Sequence, residues 1–151
     1  MITWYVVEGL RQFFTSVEGN TLSFLGDSFL ALGGYGDDDS LLGMFRADVR
    51  ISTNGTVVAR SHDWADVPSP PELFLEGHTA VVDSLSKTVL VFGGMNGDYE
   101  KSGALHTIGY GGVGGVWDVT CNVACIGRSP APRSRHAACT TSTHMYIFGG
   151  D

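Results

Sequence analysis

Met145-Tyr146-Ile147-Phe148-Gly149-Gly150 is the third occurrence of one pattern in this chain, after Phe29-Leu30-Ala31-Leu32-Gly33-Gly34 and Val89-Leu90-Val91-Phe92-Gly93-Gly94. Each stretch is a four-residue apolar run ended by a glycine pair, and the steps between them are 60 and 56 residues. With 21 glycines among 151 residues, glycine pairs alone carry little weight. The apolar run in front and the common spacing carry the argument. Other landmarks keep the same beat: Trp4, Trp64 and Trp117 follow one another at 60 and 53 residues. Gly77-His78 and Arg135-His136 begin the stretch that leads to their glycine pairs, and Gly19-Asn20 does so for the first. Self-similarity at this period means one supersecondary unit repeated several times.

Each unit reads as a set of short strands. After Asn20, His78 or His136 comes a semi-apolar stretch, 21–25, 79–82 or 137–140, then a polar turn, then the apolar run. Runs this short, bounded by turn residues and rich in β-branched and aromatic side chains, favour strands over helices. No helix longer than about two turns is expected. The glycine pair ends the strand where the backbone needs positive φ or passes close to a neighbour. A variable loop then leads to a third strand, 45–51 in the first unit and 104–109 in the second. Thr53-Asn54-Gly55-Thr56 carries the chain into a fourth strand, 57–67, because Asn-Gly favours a tight hairpin. Four antiparallel strands per unit is the arithmetic of a propeller blade.

These residues resemble the kelch repeat, whose pattern is a tryptophan, proline and arginine ahead of a histidine-like position, and an apolar strand closed by Gly-Gly. The fullest match runs from Trp117 through Pro130, Pro132-Arg133, Arg135-His136 and Tyr146-Ile147-Phe148-Gly149-Gly150. The middle unit keeps Trp64, Pro70-Pro71, His78 and Val91-Phe92-Gly93-Gly94, with Glu72 where the arginine would sit and about three extra residues before the histidine. The first unit has Asn20 for the histidine, with no proline or arginine before it. The resemblance implies an all-β fold: an incomplete kelch-type β-propeller of about two full four-stranded blades, with partial blades at each end. Its units would be 1–10 (a last strand only), 20–67, 78–127 and 136–151 (first two strands only). Propellers close with roughly four to eight blades, so this arithmetic suggests a fragment, a truncated product, or a piece completed by association.

Composition fits a β protein: 43% hydrophobic and 17% charged, with a formal net charge of −7. Nucleic acid is not an expected partner, since phosphate binding needs a basic patch and the nearest candidate is only Arg128, Arg133 and Arg135. No run approaches the roughly 18 apolar residues of a membrane-spanning helix, and no membrane association is expected. The first 19 residues lack a basic n-region and a long apolar stretch, so no signal peptide is read there. If Met1 is the true start, the cytoplasm or nucleus is the expected compartment.

The chemistry-bearing residues mostly have bland explanations. Cys121, Cys125 and Cys139 form an odd set, which fits a reducing compartment. Cys121 and Cys125 with Cys139, His136 or His144 could make a zinc site, but small strand residues are the expected reading because no second close ligand pair accompanies the first. Gly109-x-Gly111-x-x-Gly114 matches the dinucleotide fingerprint, which works only ahead of a helix N-terminus. The alternating stretch Val116–Thr120 follows instead, and a glycine-rich turn is expected. His78 and His136 recur at one repeat position, so packing explains them better than catalysis. His62-Asp63 and His106 are unrepeated and are assigned to outer strands. No nucleophile with a base at recognisable spacing is visible, so neither an enzyme nor a cofactor is expected.

The function implied is a protein-interaction scaffold that binds another protein through loops held by rigid sheets. Those loops are 35–43, 95–103 and 68–76, and the candidate contact residues are Asp37, Asp38, Asp39, Asn96, Asp98 and Tyr99. The repeat-structural residues are Gly33, Gly34, Gly93, Gly94, Gly149, Gly150, Trp4, Trp64, Trp117, His78, His136 and Arg133. Self-association, or neighbouring blades, is expected to cover the flat faces of the end units. Two alternatives stand beside this. Some kelch-like propellers house oxidases with copper and a modified tyrosine, for which the discriminating feature would be a Tyr, Cys and His cluster at the axis, where sequence does not place Tyr110 and Cys121; the chain could instead be a non-functional truncation.

Overall fold

The computed structural model describes residues 17–52, 56–60, 64–111 and 115–151. Trp4, the unit assigned to residues 1–10, Asn54-Gly55, His62-Asp63 and residues 112–114 lie outside the described residues. The strands, in chain order, are β1 (Thr21–Leu25), β2 (Ser28–Leu32), β3 (Met44–Ile51), β4 (Val57–Ala59), β5 (Ala65–Val67), β6 (Thr79–Asp83), β7 (Thr88–Phe92), β8 (Leu105–Gly109), β9 (Asp118–Thr120), β10 (Ala137–Thr140) and β11 (Met145–Phe148). Among the described residues the helical structure is one 3-10 turn, Pro71–Leu73. The protein is all-β.

Every strand pairing is antiparallel. The first sheet runs β1-β2-β3, with β4 and β5 both on β3; the second runs β6-β7-β8-β9; the third is the hairpin β10-β11. The three apolar runs are β2, β7 and β11 with one-residue adjustments. In the first two sheets they are interior strands, and in the third β11 pairs with β10. Thr21↔Leu32 and Thr79↔Phe92 set the same register in the first two hairpins, although one turn has two residues and the other four.

The fourth strand of the first unit departs from expectation. Residues 57–67 do not run as one strand: β4 pairs Val49–Ile51 and β5 pairs Met44–Arg46. The β4 ladder reaches Ala59 against Val49 and the β5 ladder starts at Ala65 against Arg46, so the two segments pair separate stretches of β3. In the second unit the last strand is likewise shorter than the alternating stretch Val116–Thr120, covering Asp118–Thr120 only. Trp64 directly precedes β5 and Trp117 directly precedes β9. Relative to the third strand they differ by two residues in register, which keeps them on the same face of a pleated sheet.

The sheets stack through their first strands, β1 beside β6 and β6 beside β10. One contact is repeated at both junctions. Thr21 Oγ1 lies 2.8 Å from His78 Nε2, and Thr79 Oγ1 lies 2.8 Å from His136 Nε2. Each histidine also packs on the first glycine of the preceding pair: a Cβ at Gly33 or Gly93 would stand 2.7 Å from Cε1 of His78 or His136. The second glycine donates across the junction, Gly34 N–H to the Leu75 carbonyl (2.8 Å) and Gly94 N–H to the Arg133 carbonyl (2.9 Å). Gly-Gly and His are thus two halves of one inter-sheet joint.

These bonds correct the alignment of the middle unit. Leu75, not Glu72, holds the position of Arg133, and no extra residues separate it from His78. Leu75 is buried, whereas Arg133 reaches out to donate from its guanidinium to the Gly149 carbonyl (2.9 Å). The apolar core lies between the first two sheets and contains Leu25, Leu30, Leu32, Met44, Val67, Leu73, Val89, Val91, Ile108 and Trp117. Full burial of a side chain of this size contributes about 1.5–3 kcal/mol. On the far side of the second sheet, Phe92 meets His136 edge-on with centroids 5.5 Å apart, while Tyr146 and Phe148 of β11 are exposed.

The joint is testable. In a double-mutant cycle of Thr79→Ala and His136→Asn, a coupling of about 0.5–1.5 kcal/mol is expected from denaturant unfolding. Strict additivity would show that the hydroxyl and the imidazole do not interact in the folded chain.

Candidate functional site

The meander places its connections at two ends. One end carries the turns 26–27, 84–87 and 141–144; the other carries the loops after each glycine pair and the links into β6 and β10. The candidate contact residues all belong to this second, loop end, together with residues the sequence did not mark.

The first two loops share one backbone design. Gly36 N–H donates to Ser40 O and Asp39 N–H to Gly36 O; in the next unit Asn96 N–H donates to Glu100 O and Tyr99 N–H to Asn96 O. Asp39 and Tyr99 both take left-handed conformations, at φ 58 and 62. The side chains use the turn differently. Asp38 Oδ1 accepts from the Ser40 hydroxyl (2.6 Å) and the Ser40 N–H (3.2 Å), which holds its carboxyl below the usual carboxylate range. Asn96 Oδ1 instead accepts from the N–H groups of Asp98 and Glu100. The two loops are neighbours: Tyr35 is pushed up by burial and by the nearby Tyr99, Glu76 and Asp39. Asp37, Asp38, Asp39, Asp98 and Tyr99 are exposed, while Asn96 is half-buried. This end is therefore strongly acidic. Its cations are partly engaged: Lys101 Nζ pairs with Asp151 (3.3 Å) and Arg135 with the buried Glu76 (3.5 Å).

A cleft of about 420 Å³ opens beside the second loop. Its walls include Glu72 from the 3-10 turn, Glu100 and Lys101 from the loop, Asn122 beyond β9, and His106 of β8. His106, expected on an outer strand, lies on β8, which pairs with both β7 and β9, and is 1% exposed. Its Nδ1 faces the Asn122 N–H at 3.4 Å, and its Nε2 is buried without a hydrogen-bond partner. Burial pushes this imidazole down, opposed by the charge of Glu72, and the same two influences both raise the Cys121 thiol. The sequence held one usable signal, a histidine at an alternating apolar position of a strand. Nothing in it told that Glu72 and Glu100 approach that histidine.

The remaining candidates do not converge. Among the described residues no three His, Cys, Asp or Glu side chains gather as a metal-binding group. Cys139 lies on β10 and is exposed, and Cys121 follows β9 rather than lying in a strand. After Gly109 and Gly111 the described chain resumes at Gly115 and enters β9, not a helix. Tyr110 and Cys121 belong to opposite ends of the β8-β9 pair; Tyr110 hydroxyl donates to Asp27 and its ring meets Trp117 edge-on at 5.2 Å. No described helix is long and apolar enough to cross a membrane. Comparison with protein-family models and with curated proteins finds no match.

Proposed function

We propose that the chain is part of a kelch-like propeller serving as a protein-interaction scaffold, with its binding surface at the acidic loop end. The observation that carries this reading is the recurrence of one joint, Thr Oγ1 to His Nε2 at 2.8 Å, between consecutive sheets. The same joint repeated between successive antiparallel sheets is what a radially repeated architecture requires. Such an array holds its loops on a rigid base, and loops so held are where recognition concentrates. The separation of Tyr110 from Cys121 favours the scaffold over a copper oxidase built on those two residues.

Peptide display against the immobilised full chain tests the surface. Selected peptides should lose binding when Asp98→Ala and Tyr99→Ala, both at exposed positions, are combined. Peptides that bind this variant undiminished would place recognition elsewhere.

The same reading includes association through the ends of the array. β11 presents the apolar sequence Met145–Phe148 with Tyr146 and Phe148 exposed, and β1 exposes Leu22 and Phe24. Apolar, uncharged strand edges recruit other chains. Sedimentation of the purified chain should show species larger than a monomer, and Tyr146→Lys with Phe148→Lys should shift them to monomer. A monodisperse wild-type monomer with cooperative unfolding would remove this part of the proposal.

A further inference from the structure

The cleft beside the second loop combines two features that single chemistry would satisfy. Its rim carries the exposed carboxylates Glu72 and Glu100. Its floor holds His106, whose ring is almost wholly buried with Nε2 unpartnered. A neutral imidazole that accepts the Asn122 N–H at Nδ1 carries its proton on Nε2. The floor therefore offers a donor, and the rim offers acceptors with negative charge. Buried polar atoms ordinarily have partners, so an unmatched donor beneath a polar opening points to an acceptor brought by a ligand. The cation on the wall does not oppose this, because Lys101 is already paired with Asp151.

We propose that this cleft binds an arginine side chain from an extended segment of a partner protein, its guanidinium held by Glu72 and Glu100 and an adjacent peptide carbonyl accepting from His106 Nε2. Arginine suits the rim better than lysine because its planar fork can serve two carboxylates at once. A volume of about 420 Å³ accommodates one long side chain with its backbone. The Asn122 N–H occupies the Nδ1 side of the ring at 3.4 Å, so the ligand's acceptor meets the other nitrogen, Nε2. The inference rests on the loop end being the interaction surface, and it names a partner chemistry for one part of that surface.

The test uses the full chain at pH 7 and low salt with a fluorescein-labelled Gly-Gly-Arg-Gly-Gly amide, followed by anisotropy. Saturable binding is expected, with no comparable binding of the peptide carrying Glu in place of Arg. Glu72→Gln combined with Glu100→Gln should weaken the arginine peptide about 10-fold or more, the scale of losing charge-assisted hydrogen bonds. Asp66→Asn combined with Asp118→Asn removes the same charge from exposed strand positions outside the loops and the cleft, and should change affinity less than about 3-fold. All these positions are exposed, so folding is not at stake. No binding by the wild-type chain overturns the inference and leaves the display experiment to decide the scaffold reading. Equal loss in both variants also overturns it, because the peptide would then be responding to the net negative charge of the chain. Competition by guanidinium chloride as effective as by unlabelled peptide would remove the carbonyl contact to His106.

Discussion

Alanine at Gly93 is expected to destabilise the chain by more than about 3 kcal/mol, whereas alanine at Gly149, the same position of the next repeat, should cost about 1–2 kcal/mol. Both glycines have left-handed backbones, at φ 68 and 73, so the conformational cost is shared. The surroundings are not. A Cβ at Gly93 would stand 2.6 Å from the Arg133 carbonyl oxygen and 2.7 Å from His136 Cε1, and backbone there cannot yield without opening the joint. At Gly149 nothing lies within 4 Å. Gly33 repeats the Gly93 situation, its Cβ overlapping the Leu75 carbonyl, and should behave alike. Urea unfolding of the three variants provides the comparison. A small loss at Gly93 would contradict the close stacking of the second and third sheets. A loss at Gly149 equal to that at Gly93 would mean that a further unit closes the same joint on it in solution, beyond the contact through Tyr146 and Phe148 expected above.

Much of this arrangement was legible in the sequence, for a physical reason. Strands such as Thr21–Leu25, Thr88–Phe92 and Ala137–Thr140 are short, alternate or run apolar, and are bounded by turn residues, so local pattern is enough to place them. The glycine pairs and the histidines were also legible as repeat positions. So was the need for positive φ or close approach at the glycines, but the partners were not, because Thr21 and His78 are 57 residues apart and nothing local to either announces the other. Spacing also misled. Matching proline to proline put Glu72 in the place of Arg133, but inter-sheet geometry is set by the carbonyl that meets the second glycine, and that carbonyl belongs to Leu75. The fourth strand failed for a related reason: residues 57–67 look continuous, yet β3 is long enough to pair two separate segments. Of the candidate surface, the exposed acidic loop was readable from composition. The cleft was not, since Glu72, Glu100 and His106 come from three segments joined only by the stacking of strands and loops.

His78 should make the fold acid-sensitive in a window of its own. Its imidazole is 4% exposed, and burial pushes its pKa down to about 4. Nδ1 has no hydrogen bond of full geometry, and the nearby Leu75 carbonyl compensates only in part. The folded state therefore holds the ring neutral, while the unfolded chain binds a proton near pH 6.5. Because the folded value lies below the unfolded one, the unfolded state takes up protons first. The contribution of His78 to stability is complete above pH 6.5 and declines as the pH falls toward 4, by about 3 kcal/mol in all. Burial moves His106 and His136 in the same direction, adding to the slope. The carboxylates Asp38, Asp83 and Asp151 are held below the usual range by their hydrogen bonds, so their contribution falls away at lower pH and does not mask this window. The unfolding free energy should thus drop between pH 6.5 and 4. His78→Asn, which installs the residue found at the equivalent Asn20, should lower stability at neutral pH yet flatten the slope over that interval. An unchanged slope in the variant would mean that His78 is protonated in the folded chain, and the Thr21–His78 joint would then have to form with an imidazolium donating from Nε2.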